Sequence, residues 1–375
     1  MKSCIKNMRK SNRILFIISS LGTGGAERVV SELANYFCNK NNKVSILLLS
    51  RNDISYELNK NIKIIYGSNQ INGKNRISDF FLRINLIRKY IRLIQPNITI
   101  SFLSTINIYS CLAIGFSKNK LIVSERNDPK KSPSERIKRL VRNIVYYLSD
   151  GYVFQTNEAR NYFYSKIKNK GIVISNPIKP NLPDVYIGER TKRIVAVGRL
   201  EAQKNYPLLI KAFYLISNEF KDYIVEIYGE GQERSELSKL INELNLNNRV
   251  LLMGRHSDVH ERIKDASLYV LSSDYEGMPN ALMEAMALGL PCIATNCSGG
   301  GPKTLITNGV NGILVSIDDE VSLSTQMAFV LQNNQIGIRL SKKASLVRDE
   351  YSIDIVGSKW LDYITKIVGS NNRWE

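Results

Sequence analysis

Residues 194–205 read IVAVGRLEAQKN, and this segment indicates the fold class. The first four residues are β-branched or small and apolar, as in a strand that is buried on both faces of a sheet. Gly198 ends this run, and a helical period of apolar residues begins near Pro207. A buried strand that passes through a glycine loop into a helix is the repeating unit of a parallel α/β sheet.

The same alternation of strand and helix extends in both directions from this stretch. In the first half, strands are predicted at 14–18, 44–49, 62–65, 98–102, 121–124, 152–154 and 172–175, and helices near 27–39, 76–94 and 134–148. In the second half, strands are predicted at 194–197, 224–228, 250–253, 267–271, 291–294 and 312–315, and helices near 207–220, 234–244 and 280–288. Residues 176–191 separate the two halves and contain three prolines among Asn, Asp and Gly, which is typical of a linker.

These patterns predict two domains of the same kind. The first domain is placed at 1–178, the linker at 179–191 and the second domain at 192–355, with a C-terminal helix at 356–375 that packs back towards the first domain. The fold class is α/β, with two Rossmann-like, doubly wound parallel-sheet domains that face each other across a cleft. Ligands of such sheets bind at the carboxyl ends of the strands.

The positive charge is concentrated in the first half. Residues 1–178 contain 30 Lys and Arg against 10 Asp and Glu, a net of +20, whereas residues 179–375 contain 22 and 24, a net of −2. This imbalance indicates an anionic partner for the first domain. Five scattered cysteines, with no Cys-x-x-Cys pair and no histidines at metal-ligand spacing, indicate a reduced, cytosolic protein without a bound metal.

Candidate binding groups follow two strands of the second half. The loop of residues 198–205 carries Arg199 and Lys204, and a guanidinium with an ammonium could neutralise a leaving diphosphate. Residues 274–284 read DYEGMPNALME and place Glu276 on a loop and Glu284 on the next helix. Pro279 suits the first turn of that helix, whose amides near 277–280 would point towards an anion. From spacing alone, these cations and carboxylates could also be surface charges or helix caps.

A glycine loop also follows the first strand of the first domain. Residues 21–28 read LGTGGAER and pass from that strand into the first helix. Backbone amides at a glycine-rich helix start can approach a phosphate. The spacing matches neither the P-loop nor the dinucleotide fingerprint, so a purely structural turn is an equal alternative.

Five motifs occur in the order that is typical of the family 4 glycosyltransferases with the GT-B fold. They are Gly-Gly-Ala-Glu-Arg at 24–28, Asn176-Pro177, Gly198-Arg199 followed by Lys204-Asn205, the pair Glu276 and Glu284, and Gly-Val-Asn-Gly at 309–312. Over nearly its whole length the chain resembles this family, in particular its bacterial members that build surface polysaccharides and lipid-linked oligosaccharides.

The resemblance implies a donor site in the second domain and a retaining reaction. Arg199 and Lys204 would bind the donor diphosphate, Glu276 would contact hydroxyls of the donor sugar, and Glu284 would accept hydrogen bonds from the nucleotide ribose. The implied catalytic residues are Glu276, Arg199 and Lys204, and the implied donor-binding residues are Gly24, Gly25, Arg199, Lys204, Asn205, Gly229, Arg255, Glu276, Gly277, Met278, Pro279, Asn280 and Glu284. The β-phosphate could itself accept the acceptor's proton. The sequence has no Asp-x-Asp metal signature, so we expect no metal and no cofactor besides the nucleotide-sugar donor.

The acceptor side departs from the family pattern. Many relatives have a histidine where residues 124–129, SERNDP, place Arg126. A guanidinium cannot take a proton, so the diphosphate, Asp128 or another first-domain group would have to do so. The implied acceptor-side residues are Thr105, Asn107, Arg126, Asn127 and Asp128. The two histidines of the chain, His256 and His260, are interpreted as surface or helix-start residues.

Two predicted helices of the first domain combine an apolar stripe with basic residues. The stripe at 134–149 comprises Ile137, Leu140, Val141, Ile144, Val145 and Leu148, and the stripe at 76–94 comprises Ile77, Phe80, Phe81, Ile84, Ile87 and Ile91. We expect both stripes to pack on the sheet. The cations would then face an anionic leaflet, where each contributes about 1 kcal/mol.

Together these features predict a cytoplasmic glycosyltransferase that is peripherally bound to the inner face of the cell membrane. It would move a hexose or N-acetylhexosamine from a nucleotide diphosphate, with UDP favoured, to a lipid-linked glycan such as an O-antigen or capsule intermediate. Its expected partners are the nucleotide-sugar donor, the lipid-linked acceptor and the anionic membrane surface, with no nucleic acid. Two alternatives stay open. A nucleotide-sugar epimerase of the same fold would convert the donor alone, and a nucleic-acid-binding protein would leave Glu276 and Glu284 unexplained.

Overall fold

The structure, a computed structural model, describes residues 11–50, 53–67 and 76–370, and the chain divides into two units. The first unit takes its residues from 1–154, 160–174 and 353–375, and the second from 155–159 and 175–352. Residues 179–191, predicted to be a linker, are therefore part of the second unit.

The sheet of the first unit is built around a strand that is buried on both faces. Every side chain from Ile14 to Ile18 is fully buried, as the apolar run predicts. Within the described residues the sheet has seven parallel strands in the order β3-β2-β1-β4-β5-β6-β7. They are β1 (Arg13–Ile18), β2 (Lys43–Leu48), β3 (Lys63–Tyr66), β4 (Ile98–Phe102), β5 (Leu121–Ser124), β6 (Gly151–Phe154) and β7 (Gly171–Val173).

Helices connect these strands, and three of them, α3, α5 and α6, were not predicted from the sequence. The connecting helices are α1 (Gly25–Asn39), α2 (Arg76–Ile94), α3 (Ser104–Ile114), α4 (Arg136–Val145), α5 (Asn157–Asn161) and α6 (Ser165–Lys170). Helix α3 was missed because it is buried on most sides, so it lacks the amphipathic period by which a surface helix is recognised.

The second unit repeats the doubly wound arrangement. Within the described residues its six parallel strands lie in the order β10-β9-β8-β11-β12-β13. They are β8 (Thr191–Val197), β9 (Ile224–Tyr228), β10 (Val250–Gly254), β11 (Ala266–Leu271), β12 (Cys292–Thr295) and β13 (Ile313–Val315). The helices are α7 (Tyr206–Ile216), α8 (Arg234–Glu243), α9 (Val259–Ile263), α10 (Asn280–Ala287), α11 (Gly301–Leu305), α12 (Glu320–Gln332), α13 (Asn334–Ala344) and α14 (Val347–Glu350).

The strand order fixes where each sheet can bind a ligand. In the second unit, β8 is flanked by β9 on one side and by β11 on the other, so the direction of winding reverses between β8 and β11. The loops that leave two such strands diverge at their carboxyl ends and leave room for a ligand there. In the first unit, the direction of winding reverses between β1 and β4.

The last helix, α15 (Ile353–Gly369), is a core element of the first unit. It packs on α1, where a side chain at position 357 would collide with the ring of Tyr36. Trp360 is fully buried and stacks on Phe102, with 5.8 Å between the ring centroids. The hydroxyl of Tyr363 donates to the carbonyl of Lys170 at 2.7 Å.

The prediction that the apolar stripe of α4 packs on the sheet is wrong. Ile137, Leu140 and Ile144 are 77%, 62% and 62% exposed, and the buried residues of the helix are Arg142 and Val145. The helix ends at Val145 and continues as a 3-10 turn to Leu148. A buried polar network, described with the site below, holds α4 with its apolar stripe facing solvent.

The stripe of α2 behaves as predicted over most of its length. Ile84, Ile87 and Ile91 are buried, whereas Ile77 and Phe81, nearer the start of the helix, are exposed. The prediction therefore holds for the C-terminal part of the stripe and is wrong for its first turn.

Candidate active site

A lysine and a glutamate meet where the loops after β8 and β11 leave the second sheet. After Gly198 the chain forms a 3-10 turn, Ala202–Lys204, which ends at Lys204. Its ammonium donates a hydrogen bond to Oε1 of Glu276. Both side chains are largely buried, at 15% and 8% exposure. The two residues are 72 positions apart in the sequence, and the strand order is what brings them together.

Further contacts hold this pair in one geometry. The Ser273 hydroxyl donates to the same oxygen of Glu276 at 2.8 Å, and the Glu276 amide donates to the carbonyl of Ser298 at 2.9 Å. An ammonium has three N–H donors, one of which is directed to Glu276. The prediction treated Lys204 and Glu276 as separate contacts, with a diphosphate and a sugar, whereas the structure couples them directly.

Asn205 has a structural role beside this pair. It adopts a left-handed conformation with φ of 43°, and its side chain caps α7 by accepting from the amide of Leu208 at 3.3 Å. Its Nδ2 donates to Asp274 at 2.7 Å and to Asp318 at 3.1 Å. The side-chain amide of Asn205 therefore joins three loops, a role that the spacing of residues in the sequence does not reveal.

Arg199 stands apart from the buried pair. Its side chain is 69% exposed and pairs with Glu201 at 2.7 Å. An exposed ion pair of this kind contributes only about 0 to 1 kcal/mol, so a phosphate could replace Glu201 at little cost. Arg255, the other predicted donor-side arginine, is also exposed.

Gly229 is required for the close packing of two strand-end loops. Its φ is +150°, and a Cβ at this position would lie 1.8 Å from the carbonyl oxygen of Gly198. Its amide donates to the carbonyl of Gly254 at 2.8 Å. The glycine therefore shapes the loop that carries Arg199, whatever ligand the loop binds.

The start of α10 is more engaged in protein contacts than predicted. The helix begins at Asn280 after Pro279, as expected, but the amide of Met278 donates to Oε1 of Gln155 at 3.2 Å. Asn176 donates to Oδ1 of Asn280 at 2.7 Å and accepts from Gln155 at 2.8 Å. The Asn-Pro motif thus fixes the start of α10, and at least one amide assigned to an anion already has a partner.

Glu284 lies on α10 and is bound by a histidine that the sequence did not single out. Nε2 of His260 lies 2.8 Å from Oε2 of Glu284. His260 is in the first turn of α9, so the helix-start alternative holds, and the residue is only 9% exposed. No spacing signal connects residues 260 and 284, since their contact depends on how α9 packs beside α10.

The implied acceptor-side residues of the first unit differ in their exposure and in their hydrogen-bond partners. Thr105 is exposed on α3, whereas Asn107 is fully buried and donates to Tyr146 and to the carbonyl of Ser124 at 2.8 and 2.9 Å. Asn127 accepts from the amide of Asp128 at 2.8 Å. Asp128 is buried and accepts from the amide of Lys130 at 2.9 Å. Asn107 is therefore a structural residue, a difference from the prediction.

Arg126, which the resemblance places where many relatives have a histidine, is buried. Its guanidinium lies over the ring of Phe102, 5.0 Å from the centroid, and donates to the Ser124 hydroxyl at 3.3 Å. Burial, and then the nearby charge of Arg28, lowers the pKa of Arg126 to about 9. The side chain remains a cation at neutral pH and cannot act there as a base.

A buried ionic network behind these residues was not predicted. The Glu125 carboxylate accepts from Ser104 and, at 2.8 Å, from Tyr146, and it lies 3.7 Å from NH1 of Arg142. Arg142 is fully buried and donates to the carbonyls of Pro129 and Ser132 at 2.9 and 2.5 Å. Burial raises the pKa of Glu125, and the charge of Arg142 opposes that rise. This network attaches α4 to the sheet.

The glycine loop of the first unit has the side chain of Glu27 beside it. Helix α1 begins at Gly25 with Gly24 as its N-cap, and a side chain at position 24 would collide with the Glu27 carboxylate. The helix start thus already has a negative group beside it, which favours the structural alternative for Gly24.

Metal-binding clusters and membrane-spanning helices are both absent from the described residues. Within residues 11–50, 53–67 and 76–370, no group of three or more His, Cys, Asp or Glu side chains is arranged to hold a metal ion. In the same part of the chain, no helix combines the length and apolar character that crossing a bilayer requires.

Two doubly wound parallel sheets in one chain, with the paired residues at the switch point of the second, have the architecture of a GT-B glycosyltransferase. HepE from Anabaena, solved in complex with UDP, shares this fold, with a TM-score of 0.79 and 16% identity over 94% of this chain and 100% of that one. The predicted fold class is confirmed. Residues 180–347 match the family described as glycosyl transferases group 1.

Two curated relatives extend the similarity to nearly the whole chain. One, from Campylobacter jejuni, is the GalNAc-alpha-(1->4)-GalNAc-alpha-(1->3)-diNAcBac-PP-undecaprenol alpha-1,4-N-acetyl-D-galactosaminyltransferase, 29% identical over 95% of this chain and 99% of the relative. The other, from the same organism, is the N-acetylgalactosamine-N,N'-diacetylbacillosaminyl-diphospho-undecaprenol 4-alpha-N-acetylgalactosaminyltransferase, 28% identical over 87% and 92%. The resemblance to family 4 glycosyltransferases that the motifs predicted is thus confirmed, and the protein is a glycosyltransferase.

Proposed function

We propose that the protein transfers a hexose or N-acetylhexosamine from a uridine diphosphate to a lipid-linked glycan of surface-polysaccharide assembly, with retention of anomeric configuration. The observation that carries this proposal is the buried Lys204–Glu276 pair at the switch point of the second sheet. The two Campylobacter relatives, both named for undecaprenyl-diphosphate-linked substrates, support the acceptor class.

The donor would be bound by residues of the second unit. Lys204, held in place by Glu276, would direct an N–H group to the leaving diphosphate, and Arg199 would exchange Glu201 for a phosphate oxygen. Glu276 would accept a hydrogen bond from a hydroxyl of the sugar. Glu284 would accept hydrogen bonds from the ribose.

The reaction itself needs few protein groups. The acceptor hydroxyl would attack the anomeric carbon on the face from which the diphosphate departs, so that the new C–O bond forms as the sugar–phosphate bond breaks. The proton of the hydroxyl would pass to an oxygen of the β-phosphate. The cations of Lys204 and Arg199 would stabilise the charge that develops on the leaving group, a role that a divalent metal fills elsewhere.

Helix α4 supports attachment of the first unit to an anionic membrane. Its exposed residues Ile137, Leu140, Val141 and Ile144 follow the spacing of one helical stripe, and Arg136, Lys138 and Arg139 flank them. Apolar side chains beside basic ones on an exposed helix are the features of a helix that lies in the headgroup region of a bilayer. The net charge of +20 in residues 1–178 acts in the same direction.

A panel of UDP- and GDP-sugars, incubated with membrane lipid extract, tests the proposed function through the release of free nucleotide. We expect release from one UDP-sugar only when lipid extract is present, and we expect excess chelator to leave the rate unchanged. Release that starts only after a divalent metal is added would contradict the roles of Arg199 and Lys204. Conversion of the donor to a second nucleotide sugar without lipid would favour the epimerase.

Replacing the exposed stripe tests the membrane proposal. We expect the triple variant Ile137→Ser, Leu140→Ser, Ile144→Ser to bind phosphatidylglycerol-containing vesicles about tenfold more weakly than the wild type, because three apolar side chains no longer enter the bilayer. Co-sedimentation at low salt measures the binding.

The matched control for this triple variant replaces exposed apolar residues on helices of the second unit. Val321→Ser, Phe329→Ser and Ile338→Ser together remove similar side chains and should leave vesicle binding unchanged. Equal binding by the α4 variant and the wild type would exclude α4 as the membrane-contacting helix.

A further inference from the structure

Three polar side chains of the second unit form a chain of contacts that ends at the carboxylate assigned to the ribose. The ammonium of Lys179 lies 3.4 Å from Nδ1 of His260, and Nε2 of His260 lies 2.8 Å from Oε2 of Glu284. The side chains of His260 and Glu284 are only 11% and 13% exposed. Solvent therefore has little access to the contact between them.

The chemistry of the carboxylate fixes the direction of its hydrogen bond with the imidazole. An ammonium can only donate hydrogen bonds, and a carboxylate can only accept them. Nε2 of His260 must therefore carry a hydrogen and donate it to Oε2 of Glu284, while Nδ1 faces the ammonium of Lys179.

The hydrogen bond that Nε2 of His260 donates orients the Glu284 carboxylate. Glu284 is carried by α10, and His260 by the first turn of α9, so the hydrogen bond also joins two helices. A carboxylate that is oriented before the ligand arrives loses less conformational freedom when two ribose hydroxyls bind to it.

We propose that Lys179 and His260 are positioning residues that hold Glu284 ready for the ribose of the donor nucleotide. This inference rests on the proposed function, because it takes the ribose as the ligand of Glu284. It adds to the donor site two residues that no sequence pattern indicates. Neither residue need touch the donor, since both act through Glu284.

Titration calorimetry with UDP and GDP tests the proposal. For whichever nucleotide the wild type binds more tightly, we expect His260→Ala to weaken binding about tenfold, because Glu284 loses the donor that orients it. His260→Gln should stay within about threefold of the wild type, since the glutamine Nε2 can donate in place of the imidazole. Lys179→Met, which keeps the apolar stem, should give an intermediate loss.

A second readout separates positioning from a merely structural role. The wild type should bind the 2′,3′-dideoxy form of the same nucleotide more weakly than the normal form, and His260→Ala should lose most of that discrimination. In steady-state assays His260→Ala should raise KM for the donor with little change in kcat. A purely structural residue would weaken both nucleotides alike and leave their ratio unchanged.

The outcomes distinguish this inference from the function on which it rests. Absence of nucleotide binding by the wild type would overturn the proposed function and the positioning roles together. Equal nucleotide affinity of the wild type and His260→Ala, or an unchanged dideoxy ratio, would overturn the positioning roles alone. His260→Gln provides the same comparison if His260→Ala fails to fold.

Discussion

Lys204→Ala is expected to lower kcat by about two to three orders of magnitude, the loss that follows removal of one preorganised group that stabilises developing charge. The variant removes the ammonium that would face the leaving diphosphate. It also leaves Glu276 buried without its cation, so the sugar contact should suffer as well. Steady-state kinetics with the preferred donor and lipid acceptor measures the effect.

Lys211→Ala is the matched control for this variant. Lys211 lies on α7, a short distance along the chain from Lys204, but its side chain is exposed. Its replacement should leave kcat within about twofold, as expected for a surface position. Adding Glu276→Gln to Lys204→Ala tests the coupling, and we expect the double variant to be no slower than Lys204→Ala. Wild-type kcat in folded Lys204→Ala would remove the basis of the proposed mechanism.

Arg142→Ala is expected to lower the free energy of unfolding of the first unit by about 3 to 5 kcal/mol, the usual cost of removing one member of a buried ion pair. Glu125 would keep its carboxylate in a buried position without the neighbouring guanidinium. The carbonyls of Pro129 and Ser132 would lose their donors. Chemical denaturation followed by circular dichroism measures the loss.

Arg136→Ala on the same helix is the control, because Arg136 is exposed and should change the free energy of unfolding by less than about 0.5 kcal/mol. A double-mutant cycle with Glu125→Gln measures the coupling within the pair. If Arg142→Ala and Arg136→Ala proved equally stable, the buried network would not be what holds α4 in place.

The strands were predictable from the sequence because parallel sheets bury both faces of a strand. Runs such as Ile98–Phe102 and Ile224–Tyr228 were placed at their observed bounds, since few other structures use short β-branched runs between helical periods. Helix ends were placed less well, because they depend on caps and loop contacts. Helix α7, for example, ends at Ile216 and not at residue 220.

The orientation of α4 could not be predicted from periodicity. The pattern shows that Ile137, Leu140 and Ile144 share one face, but it does not show whether that face meets the sheet or solvent. The outcome depends on Arg142, which is buried against Glu125. Arginines on helices are usually exposed, so only the tertiary structure reveals that α4 buries Arg142 and exposes its apolar stripe.

The candidate site was predictable in its components and not in its contacts. Lys204 and Glu276 were both singled out because they follow strands of a parallel sheet, where ligands bind. Their ion pair, and the contact of His260 with Glu284, depend on side-chain directions that spacing does not carry. The same limit explains why Asn205 and Asn107 were assigned to ligands although both are held in protein hydrogen bonds.

Mass spectrometry of the lipid fraction tests whether the protein extends a lipid-linked glycan. The wild-type protein would be incubated with its preferred UDP-sugar, membrane lipid extract and excess chelator, and the extracted lipids analysed by mass spectrometry. The proposed function predicts a lipid-linked glycan that is heavier by one hexose or N-acetylhexosamine residue, absent when Lys204→Ala replaces the wild type. If the wild type consumed the donor while the lipid fraction stayed unchanged, this result would contradict the proposed function.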